Sequence, residues 1–214
     1  MFFFIHTNIY NMQYLKLFEG FQNDVLIIVD VQKSFRKFFS EMYLNELKKY
    51  CQNFSEVYQI WDNHVDGKNV DTDYLFDENP DIPVHMDLYN FPNQKDIIEK
   101  RYNYDVDVEF YKDILDKETF EVIREREKEG KIKRGEMFKT KEGTAIVYIG
   151  NNHNWFQMPK KLYEVFQNLK GKNITIVGGA DSECLSDIFI SAETMGLGIK
   201  RNWKYIYTAS NCPI

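Results

Sequence analysis

The sequence predicts an α/β protein with a doubly wound, mainly parallel sheet flanked by helices. Two runs carry this prediction: residues 24–30 (DVLIIVD) and 173–178 (NITIVG) are almost continuously apolar, as in strands that are buried on both faces. Helical spacing appears between such runs, and strands that alternate with helices favour right-handed crossovers into a parallel sheet. The 214 residues suit one domain over residues 1–214.

The individual elements follow from periodicity and from turn residues. The predicted strands are 24–30, 56–62, 96–100, 173–178 and 202–208. The predicted helices are 41–53, 117–130, 158–169 and one that begins near Cys184 and ends at Gly196 or Gly198. In the first helix, the spacing predicts a buried face that includes Met42, Leu44, Leu47 and Tyr50.

Two segments stand outside this alternating pattern. Residues 1–22 are interpreted as an N-terminal extension, and about 105–155 as a region inserted between strands. Within the insertion, residues 134–140 and 144–149 are expected to pair as a hairpin, because Lys141-Glu142-Gly143 between them is a turn sequence.

Composition excludes several classes of protein. The net charge is -6, with 27 Lys and Arg against 33 Asp and Glu, which argues against a dedicated nucleic-acid binder. No apolar run approaches the roughly 20 residues that span a bilayer, and Met1–Ile5 lacks the other parts of a signal peptide. The cysteines are Cys51, Cys184 and Cys212, an odd count without a CxxC pair, so a disulfide framework is not expected and a reducing cytoplasm is the predicted location.

Polar residues at the carboxyl ends of the predicted strands are the candidates for a site, because ligands of open parallel sheets bind there. These residues are Asp30, Asp62 with His64, Lys100 and the segment 179–184. Cys184 follows a Gly178-Gly179 turn and opens a helix, whose positive end favours a thiolate. The alternative is that Cys184 is a small buried apolar residue.

Two neighbours suit a cysteine nucleophile. As a base, Asp30 accepts the proton of a thiol. Lys100 lies at the end of another strand, where its charge lowers the pKa of a thiol and holds the Asp30 anion. Taken alone, Asp30 also suits a structural role such as a helix cap, and Lys100 a surface position.

A metal site is the second hypothesis. Asp62 and His64 are two residues apart on an extended chain and therefore project from one face. His85 is a candidate third ligand. A set of imidazole and carboxylate ligands suits Zn²⁺ above all, with Mn²⁺ or Fe²⁺ as alternatives.

Two motifs resemble those of the isochorismatase-like cysteine hydrolases. VLIIVDVQKSF, which ends at Phe35, resembles the opening strand signature of the family. GGADSECLSDIFISAETMG, residues 178–196, resembles its nucleophile motif, and Asp30, Lys100 and Cys184 occur in the family's order. Asp62-Asn63-His64 and Ile82-Pro83-Val84-His85 resemble the D-x-H and W-P-x-H motifs of the nicotinamidase branch.

The resemblance implies an amidase that converts a small carboxamide, such as nicotinamide, into an acid and ammonia. Cys184 would be the nucleophile, Asp30 the base and Lys100 its aid, while backbone amides of Ala180 and Cys184 would bind the oxyanion. The resemblance also implies a cis peptide bond at Gly179-Ala180. A metal on Asp62, His64 and His85 would anchor the substrate, Phe35 would form an aromatic wall, and a homo-oligomer is plausible for the family.

Two other functions remain open. The same cysteine chemistry suits a different amide, or the chain is a catalytically silent binding module on this fold. Asp181 stands where the family usually has Thr, and Ile82 stands where the nicotinamidase branch has Trp. A negative charge on Asp181 that points toward the thiol would raise its pKa. The inserted region is long enough to cover or reshape the site.

Overall fold

The computed structural model describes residues 24–62, 88–100, 104–105, 107–150 and 154–208. Within these ranges no helix is long and apolar enough to cross a bilayer. The elements in chain order are β1 (Asp24–Val29), a 3-10 helix (Lys33–Phe38), α1 (Glu41–Cys51), β2 (Glu56–Asp62), β3 (Gln94–Lys100), β4 (Tyr104–Asp105), a second 3-10 helix (Val108–Tyr111), α2 (Lys117–Lys128), β5 (Met137–Lys139), β6 (Ala145–Tyr148), β7 (Trp155–Met158), α3 (Lys160–Asn168), β8 (Asn173–Gly178), α4 (Cys184–Thr194) and β9 (Ile199–Ile206).

The predicted α/β class is confirmed, because five strands form a parallel sheet that helices flank. The strand order is β3-β2-β1-β8-β9, and every neighbouring pair is parallel. Alternate residues of β1 enter two different clusters, with Ile27 on one face and Leu26 on the other. Both faces are therefore buried, which is why β1 is a continuous apolar run.

The helices divide between the two faces of this sheet. On one face α1 packs through Leu44 and Leu47 against Leu26. On the other face α3 and α4 pack through Phe166 and Leu185, respectively, in the cluster that contains Ile27. This arrangement is that of doubly wound folds.

The predicted buried face of α1 is partly wrong. Leu44 and Leu47 are buried, but Met42 is 59% exposed and Tyr50 only half-buried. The buried positions also include Tyr43 and Cys51. The Ser40 side chain caps the helix through the Tyr43 amide, and this start places Met42 on the solvent side.

The inserted region contains a second sheet, which the sequence prediction missed except for its hairpin. Its order is β4-β7-β6-β5, and the predicted hairpin is the antiparallel pair β5–β6. The strand β7 was not predicted, because WFQM is short and adjoins a helix. One face of the sheet contributes Val147 and Phe156 to the cluster of α3 and α4. The other face contributes Ile146 and Trp155 to a cluster with α2.

Two consecutive glycines let β8 turn away from its neighbours at the end of the sheet. Gly178 has φ +103°, and a Cβ there would overlap the carbonyl oxygen of Val29 and lie 2.8 Å from its nitrogen. At Gly179 a Cβ would lie 2.5 Å from the Tyr207 ring. Neither position accepts a side chain without displacement of the chain that surrounds it.

We expect Gly178→Ala to lower the free energy of unfolding by about 3–5 kcal/mol, because left-handed strain adds to overlap with fixed backbone. Gly198→Ala is the matched control, since Gly198 has no positive φ and no atom lies within 4 Å of its Cβ position. Urea denaturation of both variants tests this. Equal stability of the two variants would contradict the close approach of β8 to β1.

Candidate active site

The candidate residues meet where the direction of chain progression across the sheet changes. From β1 the chain proceeds to β2 on one side, whereas from β8 it proceeds to β9 on the other side. Ligands of doubly wound sheets bind in the crevice at this point, outside the carboxyl ends of the strands. Asp30 follows β1 directly, and residues 179–184 follow β8, so both segments border the crevice.

A buried ion cluster joins the ends of three neighbouring strands. The Nζ atom of Lys100 lies 2.7 Å from Oδ2 of Asp30 and 3.4 Å from Oδ2 of Asp62, and all three side chains are at most 2% exposed. Burial raises the pKa of the Asp30 carboxyl above its usual value, the charge of Lys100 opposes this shift, and Asp62 adds to it. Lys100 is therefore the group that favours the Asp30 anion.

The backbone of Asp30 is held from two sides. Its φ of 52° is left-handed, a conformation that Asp tolerates better than most residues. Its N–H donates to the carbonyl oxygen of Ile60 at 2.9 Å. Its carbonyl oxygen accepts a hydrogen bond from the Tyr207 hydroxyl at 2.7 Å. These contacts fix the position of the backbone from which the Asp30 side chain extends.

Cys184 is the first residue of α4 and is half-buried. Its Sγ lies within 4.8 Å of a carboxylate oxygen of both Asp30 and Asp62. Burial raises the pKa of the Cys184 thiol well above its usual value, while Lys100 opposes this and the two carboxylates add to it. The direction differs from the sequence-based expectation, because desolvation outweighs the nearby ammonium group. At rest Cys184 is a neutral thiol beside a candidate base.

The turn before Cys184 presents unused backbone amides. The peptide bond between Gly179 and Ala180 is cis, as the resemblance implies. Within the described ranges, the N–H groups of Ala180 and Cys184 donate no hydrogen bond. Ala180 packs against one face of the sheet and Cys184 against the other, so the turn crosses the sheet edge. Free amides beside a nucleophile are suited to bind an oxyanion.

The Asp181 carboxylate has its own counter-ion. The Arg201 guanidinium donates to Oδ1 of Asp181 at 3.0 Å and lies over the Phe189 ring at 4.1 Å from its centroid. Arg201 therefore neutralises the added negative charge and ties the turn to α4.

The inserted region borders the same turn. Arg134, in the loop before β5, donates to the Ser186 hydroxyl of α4 at 3.1 Å. An open cavity of about 790 Å³ lies beside residues 181–183, with Arg134, Gly150 and Arg201 in its wall. Residues of the 105–155 region thus border the turn that precedes Cys184.

Only one of the three predicted metal ligands is described. His64 and His85 lie outside the described residues, whereas Asp62 is buried at the end of β2. Asp30, Asp62 and Cys184 are close enough to hold an ion together, but Lys100 already contacts both carboxylates. Among the residues that the structure describes, this set does not fit a divalent cation unless Lys100 is displaced.

Phe35, the predicted substrate wall, is half-buried in the 3-10 helix after β1. Its ring centroid lies 6.1 Å from that of Phe38, which is itself stacked 6.2 Å from Tyr207. Phe35 therefore begins a row of aromatic rings that ends against Gly179. Its contact with a substrate remains a prediction.

Comparison with known proteins identified no relative, since no family model, no curated protein and no solved structure matches the chain. The site must therefore be judged on its own chemistry.

Three polar residues around the site were missed by sequence reasoning. The Gln32 amide donates to the carbonyl oxygen and accepts from the N–H of Asp62, both at 3.0 Å. Arg201 donates to the Asp181 carboxylate in the turn, and the Tyr207 hydroxyl donates to the Asp30 carbonyl oxygen. Tyr207 directly follows the observed β9, but the predicted strand 202–208 contains it, so the rule that selects residues after strands did not select it.

We expect Lys100→Met to lower the free energy of unfolding by about 3–5 kcal/mol, because two buried carboxylates lose their counter-ion. Lys161→Met is the matched control: Lys161 contacts Asp96 at 2.7 Å, but the two side chains are 52% and 39% exposed. Such surface pairs contribute about 1 kcal/mol or less. Urea denaturation compares the two variants, and similar losses would show that the Lys100 ion cluster is not a major stabilising contact.

Proposed function

We propose that the protein is a cysteine-dependent hydrolase of a small carboxamide, with nicotinamide as the first substrate to test. The observation that carries the proposal is the position of the Cys184 thiol. It lies beside the Asp30 carboxylate, which Lys100 contacts at 2.7 Å, and next to the amides of Ala180 and Cys184, which donate no hydrogen bond to any residue that the structure describes. The resemblance to isochorismatase-like hydrolases supports the same assignment of roles.

In the first half of the reaction, Asp30 takes the proton of Cys184, and the thiolate attacks the amide carbon. Because the resting thiol is neutral, proton transfer to Asp30 accompanies or precedes attack. The carbonyl oxygen becomes an oxyanion and accepts hydrogen bonds from the amides of Ala180 and Cys184. Asp30 then gives its proton to the amide nitrogen, the carbon–nitrogen bond breaks, and ammonia leaves a thioester.

In the second half, a water molecule replaces ammonia. Asp30 accepts a proton from the water as it attacks the thioester carbon, and the same amides bind the second oxyanion. The carbon–sulfur bond breaks, Cys184 recovers its proton from Asp30, and the carboxylic acid is released. The Lys100 ammonium stays buried throughout and favours the ionised form of Asp30 each time it must act as a base.

The nicotinamidase assignment adds a metal to this scheme. On the resemblance, Asp62, His64 and His85 would hold the ion, and the ion would orient the substrate. Phe35 would pack against the substrate ring. The cysteine chemistry itself needs none of these contacts, so a different amide is compatible with the same site.

We expect the protein, incubated with nicotinamide and Zn²⁺, Mn²⁺ or Fe²⁺, to release ammonia, and Cys184→Ala to abolish the release. Cys51→Ala is the matched control, because Cys51 is fully buried in the cluster of α1 and burial raises its pKa to about 12. Ammonia is measured by a coupled assay. If the wild-type protein releases no ammonia from nicotinamide with any of the three metals, other small amides are tested in the same assay. Failure with all of them would reject the proposal that the protein is an amidase.

Metal dependence separates the two amidase hypotheses. If nicotinamide is anchored by a metal on Asp62, His64 and His85, we expect a chelator to abolish ammonia release and added Zn²⁺ to restore it. His64→Ala and His85→Ala should then raise KM or remove activity while leaving stability unchanged. If ammonia release continues in the presence of the chelator, the cysteine mechanism remains supported and the metal-anchored nicotinamidase hypothesis is rejected.

A further inference from the structure

The geometry points to Tyr207 as a positioning residue that keeps the Asp30 carboxylate and the turn before Cys184 at a fixed distance from each other. This inference rests on the proposed function only for its effect on turnover. Its effect on the reactivity of Cys184 is independent of any substrate. The residue lies just past β9, at the same edge of the sheet as Asp30 and Cys184, and its side chain is 1% exposed.

Tyr207 contacts Asp30 through its hydroxyl group. The O–H donates to the Asp30 carbonyl oxygen at 2.7 Å, at the residue whose φ is 52°. The peptide unit before Asp30 is held by its N–H bond to Ile60 and by the Gly179 N–H bond to the Val29 carbonyl oxygen, whereas the Asp30 carbonyl oxygen accepts from Tyr207. Loss of the hydroxyl would leave a buried carbonyl oxygen without that donor and release one side of the Asp30 backbone.

The same residue contacts the nucleophile turn through its ring and its backbone. The ring lies so close to Gly179 that a Cβ there would be 2.5 Å from it. The Tyr207 N–H donates to the carbonyl oxygen of Gly178 at 2.9 Å, and its carbonyl oxygen accepts from Asp181 at 3.0 Å. Tyr207 is thus bonded to the residues that flank the cis peptide on both sides.

These contacts explain how two segments far apart in sequence keep a fixed separation. Asp30 follows β1 and Cys184 follows β8, and the Cys184 Sγ lies within 4.8 Å of a carboxylate oxygen of Asp30. Proton transfer from sulfur to a carboxylate depends steeply on their distance, and a misplacement of about 1 Å costs as much as about 100-fold in rate. Tyr207 contacts both segments, Asp30 through its hydroxyl group and the turn before Cys184 through its N–H and carbonyl groups.

Tyr43 supplies a matched control. Its hydroxyl donates to the carbonyl oxygen of Tyr205 at 2.9 Å, and its side chain is fully buried in the same cluster as Tyr207. Tyr43→Phe and Tyr207→Phe therefore each remove one buried hydroxyl from a carbonyl oxygen. Only Tyr207→Phe removes a bond to Asp30.

The experiment measures alkylation of Cys184 by iodoacetamide at one mildly alkaline pH, with the labelled peptide quantified by mass spectrometry. Each protein is assayed well below its own melting temperature, so that all are folded. We expect Tyr43→Phe to match the wild type and Tyr207→Phe to react about 10- to 100-fold more slowly. If an amide is hydrolysed, kcat should fall by a similar factor while KM changes little.

Equal alkylation rates in Tyr207→Phe and Tyr43→Phe would overturn the inference, even if both variants were less stable than the wild type. A slower reaction in Tyr207→Phe alone would support it whether or not any amide is turned over. Absence of turnover in the wild type would reject the proposed function and leave the alkylation result intact. The two failures are therefore distinguishable.

Discussion

The Lys100 ammonium lies between the carboxylates of Asp30 and Asp62, and the geometry of the candidate site depends on this contact. The three residues stand at the ends of β3, β1 and β2, so one ion cluster joins three neighbouring strands. Buried charges are unfavourable unless they are paired, and two carboxylates without Lys100 would repel each other. The same group that stabilises this edge of the sheet also favours the anion that the proposed chemistry requires.

The opposite side of the crevice depends on close approach of backbone rather than on charge. Gly178 lies against Val29, and Gly179 lies against the ring of Tyr207. The chain therefore leaves β8 in a tight turn, and within the described ranges the N–H groups of Ala180 and Cys184 in this turn donate no hydrogen bond. The ion cluster and these amides border the same end of the sheet, and the proposed reaction would draw on both.

The sequence predicted the parallel sheet and the proximity of Asp30, Lys100 and Cys184, because both follow from local patterns. Continuous apolar runs mark strands such as β1 and β8, and the residues after them must share one edge of the sheet. The second sheet was harder, since β7 has four residues and adjoins a helix. The raised pKa of Cys184 was not predictable, because burial depends on what tertiary packing places around the sulfur. Tyr207 resembles an ordinary core aromatic until its hydroxyl is seen to reach Asp30.

The packing of the inserted region bears on how the protein unfolds. Val147 and Phe156 of the second sheet lie in one continuous cluster with Ile27 of β1 and Leu185 of α4. If the second sheet unfolded by itself, apolar residues of both sheets would be exposed to water. The two sheets should therefore melt in one cooperative transition, and protection from hydrogen exchange should extend from β1 into β6.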